Sequence, residues 1–147
     1  ALEKQEWISV NDPACGAGAT LIAAANIFYR KKINYQTQVL FTANDIDRVV
    51  AQMCYIQLSL LGCPGWVAVA NTISNPVCGD PLMPDERPGQ EFWYTPFYFR
   101  EEWNCRRQIQ IFKEMRGSWI TPIGAHNPGK ITFYFDFEKG DYKCQNS

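Results

Sequence analysis

The segment Asp12-Pro13-Ala14-Cys15-Gly16-Ala17-Gly18 holds the residues of this chain best suited to binding chemistry. It stands between a short apolar run, Trp7 to Asn11, and an alanine-rich stretch that opens at Ala19. That order predicts a strand, a tight loop and the first turn of a helix, where backbone N–H groups lack partners within the helix and point at whatever binds there. Gly16 and Gly18 allow conformations closed to other residues and let a ligand approach the backbone. A Gly-x-Gly alone is a weak sign, because glycines often serve a strand-to-helix turn and nothing more. Two further polar residues stand at matching places: Asp45, ending a second apolar run, and Asn71, ending a third. An acid after the second strand of a nucleotide-binding unit accepts hydrogen bonds from ribose hydroxyls. Asp45 equally suits a helix cap, with Asp47 as an alternative cap. Together the three positions favour one site for a nucleotide-like ligand over three unrelated turns.

The elements that must position these residues follow from hydrophobic spacing. From Ala19 to about Tyr29, Leu21, Ile22, Ala24, Ala25 and Phe28 recur at three- and four-residue intervals. Arg30-Lys31-Lys32 then places cations at the end of that helix, where its dipole favours them. Gln38 to Ala43 reads as a second strand. A second helix carries Val49, Val50, Met53, Ile56, Leu60 and Leu61 at helical spacing, and Gly62 with Pro64-Gly65 stops it. Trp66 to Ala70 reads as a third strand. Three strands separated by two helices make a βαβαβ unit, so the expected fold is α/β with a mainly parallel sheet.

The run Asn11-Asp12-Pro13-Ala14-Cys15-Gly16-Ala17-Gly18-Ala19-Thr20-Leu21 resembles the D-P-A-C-G-S-G-x-x-L signature of the N6-adenine DNA methyltransferases. Within that family it is most similar to the modification subunits of type I restriction systems and related methylases. Ala17 stands where the family has Ser. The resemblance implies a Rossmann-like methyltransferase fold, incomplete or truncated here, with S-adenosylmethionine as cofactor. It implies that Asp12, Pro13, Ala14, Cys15, Gly16 and Gly18 wrap the methionine end of that cofactor. The segment Thr42 to Asp47 resembles the family's second motif, which implies Asp45 on the ribose and Ile46 against the adenine. Ala51-Gln52-Met53 and Leu58 to Gly62 resemble the helix that follows, with Cys54-Tyr55 where an Asn is usual. Ala70-Asn71-Thr72-Ile73 resembles the motif that contacts the adenine amine, with Asn71 replacing Asp and still offering an oxygen acceptor. The likeness spans Trp7 to Ile73 and implies DNA methylation in a restriction-modification or mobile-element system.

The family's catalytic motif, (Asn/Asp/Ser)-Pro-Pro-(Tyr/Phe), ends a fourth strand. There a polar side chain and a proline carbonyl accept the hydrogens of the target amine, and the aromatic ring stacks on the flipped base. No such tetrapeptide occurs in this sequence, so no catalytic residue is assigned. Asn75-Pro76-Val77-Cys78 has only the first half, too close behind the third strand. Tyr94-Thr95-Pro96-Phe97 is better spaced but lacks the carboxamide and a second proline. Asn127-Pro128-Gly129 reads as a turn. Three readings follow: a methyltransferase completed by a partner chain or missing segment, a non-catalytic module such as a degenerate subunit or anti-restriction protein, or a methyltransferase for a substrate other than DNA.

Beyond Asn71 the pattern changes. Ser74 to Gln90 is rich in Pro, Gly, Asp and Asn and reads as a long loop. Glu91 to Phe99 holds six aromatics, which suit a core better than a base-stacking platform. Trp103 to Met115 reads as a moderately amphipathic helix, and Ile131 to Phe137 with Tyr142 to Cys144 as a hairpin. The expectation is one domain over 1–147: the cofactor unit at 1–73, an irregular loop and aromatic segment at 74–98, and a helix and hairpin at 99–147. Of the 147 residues, 46% are hydrophobic and 20% charged, and no apolar run is long enough to cross a bilayer. A cytoplasmic protein without a membrane partner is expected, as no secretory pattern opens the chain. The missing initial Met suits a processed chain or an excised piece. Six cysteines without a C-x-x-C, and the single His126, speak against a zinc site and for reduced thiols. A net charge of −1 gives no general attraction for DNA. Arg100, Arg106, Arg107, Lys113 and Arg116 leave a local contact with DNA open.

Overall fold

The apolar run before the glycine loop forms strand β1 (Ile8–Asp12), and the alanine-rich stretch forms helix α1 (Ala19–Arg30). These come from a computed structural model that describes residues 7–116 and the backbone of residues 117–118, 131–136 and 141–146. A helical turn, α2 (Tyr35–Gln38), then leads into β2 (Val39–Asp45). Gln38, expected in the second strand, belongs to this turn instead, because the Asn34 side chain accepts the Gln36 amide and caps it. Helix α3 (Arg48–Leu60) and strand β3 (Gly65–Val69) complete the βαβαβ unit.

β1 pairs with β2 and β2 with β3, both in parallel. The aromatic segment supplies a further strand. After the short strands β4 (Cys78–Asp80) and β5 (Met83–Asp85), β6 (Glu91–Tyr94) pairs antiparallel with β3. The sheet order is β1-β2-β3-β6, so the protein is α/β with a mixed, mainly parallel sheet. Residues 74–98 are thus more ordered than a loop reading allows. β4 and β5 form a hairpin whose turn is held by Asp80 Oδ1, which accepts the Leu82 amide at 2.8 Å. β6 escapes a search for alternation because both of its faces meet apolar cores. Phe92 and Tyr94 pack on one side of the sheet and Trp93 on the other.

α1 and α3 cover the same sheet face. Leu21 and Ala25 from α1, and Ala51, Cys54 and Leu58 from α3, pack on Val39, Phe41, Ala43 and Val67. The buried stripe of α3 differs from the set with the largest apolar side chains: Val49, Met53, Ile56 and Leu60 are exposed. At Cys54 the inward residue is small because α3 lies close to the glycine loop there, where a Cβ on Gly18 would stand 2.8 Å from Cys54 Sγ. Close approach also fixes Gly65, at φ 152°, whose added Cβ would lie 1.7 Å from the Phe41 carbonyl oxygen. The opposite face is covered by Leu82, by Tyr98 of a 3-10 turn (Pro96–Phe99), and by Trp103 of helix α4 (Glu101–Ser118).

Trp103 is fully buried and anchors α4, whereas Ile109, Phe112 and Met115 are exposed. Of the basic residues on and before this helix, Arg106 lies over the Trp103 ring and Arg107 over Tyr98, each also donating to a backbone carbonyl. The chain forms two compact units, Ala1–Glu114 and Met115–Ser147. In the second unit β7 (Ile131–Asp136) and β8 (Asp141–Asn146) pair as the expected antiparallel hairpin, with Asp136 opposite Asp141. His126 and Asn127-Pro128-Gly129 lie outside the described residues.

Candidate functional site

The parallel strands bring the ends of β1, β2 and β3 to one edge of the sheet, and the glycine loop is fastened there. The Cys15 amide donates to the Asn44 carbonyl at 3.0 Å, and the Gly16 amide donates to Asp45 Oδ2 at 2.8 Å. Asp12 Oδ1 accepts the Ala14 amide at 3.2 Å and shapes the turn from within. From α3, Gln57 Nε2 donates to the Ala17 carbonyl at 2.6 Å. Gly18, at φ 92°, begins α1 without any side-chain cap. Among the described residues no side chain accepts from the first amides of α1, and this partially positive helix end suits a carboxylate or phosphate.

Asp45 is not a helix cap. That role falls to Asp47, which accepts the Val49 amide at 2.8 Å. Asp45 Oδ1 accepts the Asp47 amide at 2.9 Å, and the Asp45 carbonyl accepts the Ala70 amide at 3.0 Å. Each carboxylate oxygen has two acceptor sites, so both retain capacity for a ligand hydroxyl. Ile46 beside it is 67% exposed. Asn71 ends the third strand as expected, but its Oδ1 already accepts the Ile73 and Ser74 amides at 2.9 and 3.0 Å. The atom expected to meet an adenine amine is therefore engaged in its own turn.

Pro13 is held by two residues that the sequence did not single out. Its carbonyl accepts from Thr72 Oγ1 at 2.6 Å and from Asn44 Nδ2 at 3.2 Å, and Asn44 Nδ2 also donates to Thr72 Oγ1 at 2.8 Å. Asn44 is the immediate neighbour of Asp45 on β2, so its side chain points to the opposite sheet face. A polar residue in an otherwise apolar buried strand was the available signal.

Cys15 sits in the loop against Cys54 of α3, and both are buried. A hydrogen bond with Cys54 and then burial push the Cys15 thiol well above its ordinary range, while the same hydrogen bond lowers Cys54. Cys15 is accordingly held in its protonated form and packs in the core.

The two near-matches to a catalytic motif hold structure together. Thr95 is fully buried, and its Oγ1 donates to the Cys63 carbonyl at 2.8 Å and accepts the Gly65 amide at 3.0 Å. It follows Tyr94, which pairs with Trp66 near the start of β3, so it lies at the amino end of the parallel strands and beside the edge opposite β1. The glycine loop lies at the carboxyl end. Asn75 is nearer that end, but its Nδ2 donates to the Pro88 carbonyl at 3.1 Å and its backbone carbonyl accepts Gln90 Nε2 at 3.0 Å. Among the described residues there is no cluster of side chains able to hold a metal ion, and no helix is long and apolar enough to cross a membrane. No protein-family model, no curated protein and no solved structure matches the chain.

Proposed function

We propose that this chain is the S-adenosylmethionine-binding part of a Rossmann-like methyltransferase domain of the DNA adenine N6 type. The observation that carries this reading is the 2.8 Å hydrogen bond from the Gly16 amide to Asp45, which sets a glycine turn and an acid side by side at the carboxyl ends of parallel strands. That edge is where ligands bind in open α/β sheets. Asp45 accepts the ribose hydroxyls, exposed Ile46 offers its side chain to the adenine, and the uncapped start of α1 faces the methionine carboxylate. Asp12 to Gly18 forms the wall along the methionine end. The cofactor supplies a methyl group on a sulfonium, and the chain's own residues bind and orient it.

A second reading, a module that keeps the fold without catalysing transfer, draws support from Thr95. Its burial at the amino end of the strands keeps Thr95-Pro96-Phe97 away from the glycine loop. On the first reading, DNA is the substrate, and a partner chain or further segment brings the amine acceptors. Calorimetry with S-adenosylmethionine and its demethylated product tests the cofactor assignment. Asp45→Ala should weaken binding by about 1.5–3 kcal/mol, the worth of a hydrogen bond to a charged group. An unchanged affinity removes Asp45 from the ribose, and no heat of binding at millimolar ligand removes the cofactor.

A further inference from the structure

On the sheet face opposite α1 and α3, a cleft of about 340 Å³ opens between β1, β2 and the loop that follows β3. Its size falls at the lower end of the roughly 300–1,000 Å³ typical of small-molecule sites. Asn11 and Asn44 line it, and Trp66, Pro76 and Pro81 add flat or rigid apolar surface. These two asparagines present opposite halves of a hydrogen-bonding pair.

Asn44 is only 4% exposed, and its Nδ2 is spent on Pro13 and Thr72. No described residue donates to its Oδ1. Among the described side chains, only Ser59 Oγ is both sealed from solvent and unpartnered. Asn44 Oδ1 therefore reaches open space, and the cleft is the space its side chain lines. Asn11 is the converse: its Oδ1 accepts from Thr42 Oγ1 at 2.9 Å, which leaves the two Nδ2 hydrogens without a partner. Asn11 lies opposite Thr42, two residues before Asn44 on the same face of β2, so the two asparagines are diagonal neighbours that both line the cleft. Asp80 is the one carboxylate in the lining, and its Oδ1 already accepts the Leu82 amide. That charge disfavours anions.

We infer that this cleft binds an uncharged planar ring bearing an N–H and a C=O on one edge, as in a pyrimidine lactam. Asn44 Oδ1 accepts the ring N–H, Asn11 Nδ2 donates to the ring carbonyl, and the apolar walls cover the faces. The site stands on the sheet face away from α1 and α3 and does not depend on the cofactor reading. Selectivity follows from burial: a ring lacking the N–H leaves the nearly buried Asn44 oxygen unpaired under the ligand, which costs more than the bond itself contributes.

Saturation-transfer NMR with uridine as probe, in the absence of S-adenosylmethionine, tests the inference. The control is 3-methyluridine, which has the same ring but no N–H on that edge. Uridine should bind, and the methylated ring should bind at least about tenfold more weakly. Asn11→Asp keeps the oxygen that accepts from Thr42 but replaces the donors with a charged acceptor, so it should weaken uridine by about tenfold or more. Equal binding of the two nucleosides, uridine binding unchanged in Asn11→Asp, or no transfer from uridine at millimolar concentration would overturn the site. The nucleoside comparison needs no variant, so it decides the matter even where Asn11→Asp folds poorly. Cofactor affinity is measured in separate titrations, so failure of one site leaves the other standing.

Discussion

The Gly16 amide lies 2.8 Å from Asp45 Oδ2 and joins residues 29 apart in sequence. The acid at the end of β2 therefore shapes the loop at the end of β1 as well as offering acceptors to a ligand. A hydrogen bond to a charged acceptor is worth about 1.5–3 kcal/mol, twice or more a neutral one. The Cys15 amide bonded to the Asn44 carbonyl next to it makes the loop and the strand end one rigid piece. A loop held in this way enters binding with its amides already positioned, which lowers the ordering cost that a free loop would carry.

Gly18 should not tolerate a side chain. Its φ of 92° lies in the left-handed region, and an added Cβ would stand 2.8 Å from Cys54 Sγ. Gly18→Ala should cost about 1–3 kcal/mol, of which the backbone conformation accounts for about 1–2. Combining it with Cys54→Ala removes the collision but not the backbone strain, so the double variant should lose less than the sum of the singles. Urea unfolding of the four proteins measures this, and strictly additive losses would show that the contact carries no energy.

Thr95 should matter for stability and not for ligand binding. Thr95→Val leaves the Gly65 amide and the Cys63 carbonyl each short of a buried partner, at a cost of about 1–3 kcal/mol. Thr95→Ser keeps the hydroxyl and should recover most of that loss. S-adenosylmethionine affinity should be the same in both variants, because Thr95 lies at the amino end of the parallel strands. A selective loss of cofactor affinity in a stably folded Thr95→Val protein would contradict this placement.

Alkaline pH should weaken the fold through Cys63. Burial pushes its thiol from 9.0 up to about 12, so the folded protein holds this proton after an unfolded chain has released it. The sign follows directly. The contribution is complete below pH 9, where both states are protonated, and is lost as pH rises from 9 through about 12, where only the folded state keeps the proton. The slope from this one group approaches about 1.4 kcal/mol per pH unit within that window. Denaturant midpoints taken across it should fall more steeply for the native sequence than for Cys63→Ala. Equal slopes would mean that Cys63 titrates as an exposed thiol.

The order β1, loop, α1, β2, α3, β3 was legible because each element carries one dominant signal: glycines at the loop, helical spacing in α1, and the dense apolar run of β2. The pairing of the loop with Asp45 followed from the same order, since parallel strands bring their ends together. The inward face of α3 was not legible. Large residues such as Ile56 and Leu60 dominate any reading of hydrophobic spacing, whereas the packing turns Ala51, Cys54 and Leu58 inward, with the small Cys54 set against Gly18. β6 was hidden for a related reason, as Phe92, Trp93 and Tyr94 are apolar toward both faces and show no alternation. Asn44 and Thr72 stand inside the quoted motifs without a role of their own, because they hold the Pro13 carbonyl, a contact that spacing along the chain does not encode.

The isolated chain should bind S-adenosylmethionine yet transfer little or no methyl group to duplex DNA. Transfer to an adenine amine needs acceptors for its hydrogens and a ring to stack on the flipped base, both within reach of the sulfonium methyl, and such positioning supplies much of an enzyme's rate advantage. Thr95-Pro96-Phe97 cannot serve, because the Thr95 hydroxyl is buried between Cys63 and Gly65 at the far end of the strands. Asn75 lies nearer the loop, but its Oδ1 accepts Gln90 Nε2 at 3.4 Å while its Nδ2 donates to the Pro88 carbonyl. Asn71 has its oxygen in its own turn. Arg106 and Arg107 offer little grip on phosphates, since each donates to a backbone carbonyl and stacks on a ring. Labelled S-adenosylmethionine with mixed-sequence duplex DNA measures the outcome, with RNA and protein extracts assayed in parallel. Robust incorporation into DNA adenine would refute the expectation, and comparing Asn75→Ala with Asn71→Ala would then show which side chain leaves its turn to accept the amine. Incorporation into RNA or protein alone would reassign the substrate. Absence of label from all three, together with a measured cofactor affinity, is the result expected of a binding module whose amine acceptors come from another chain or segment.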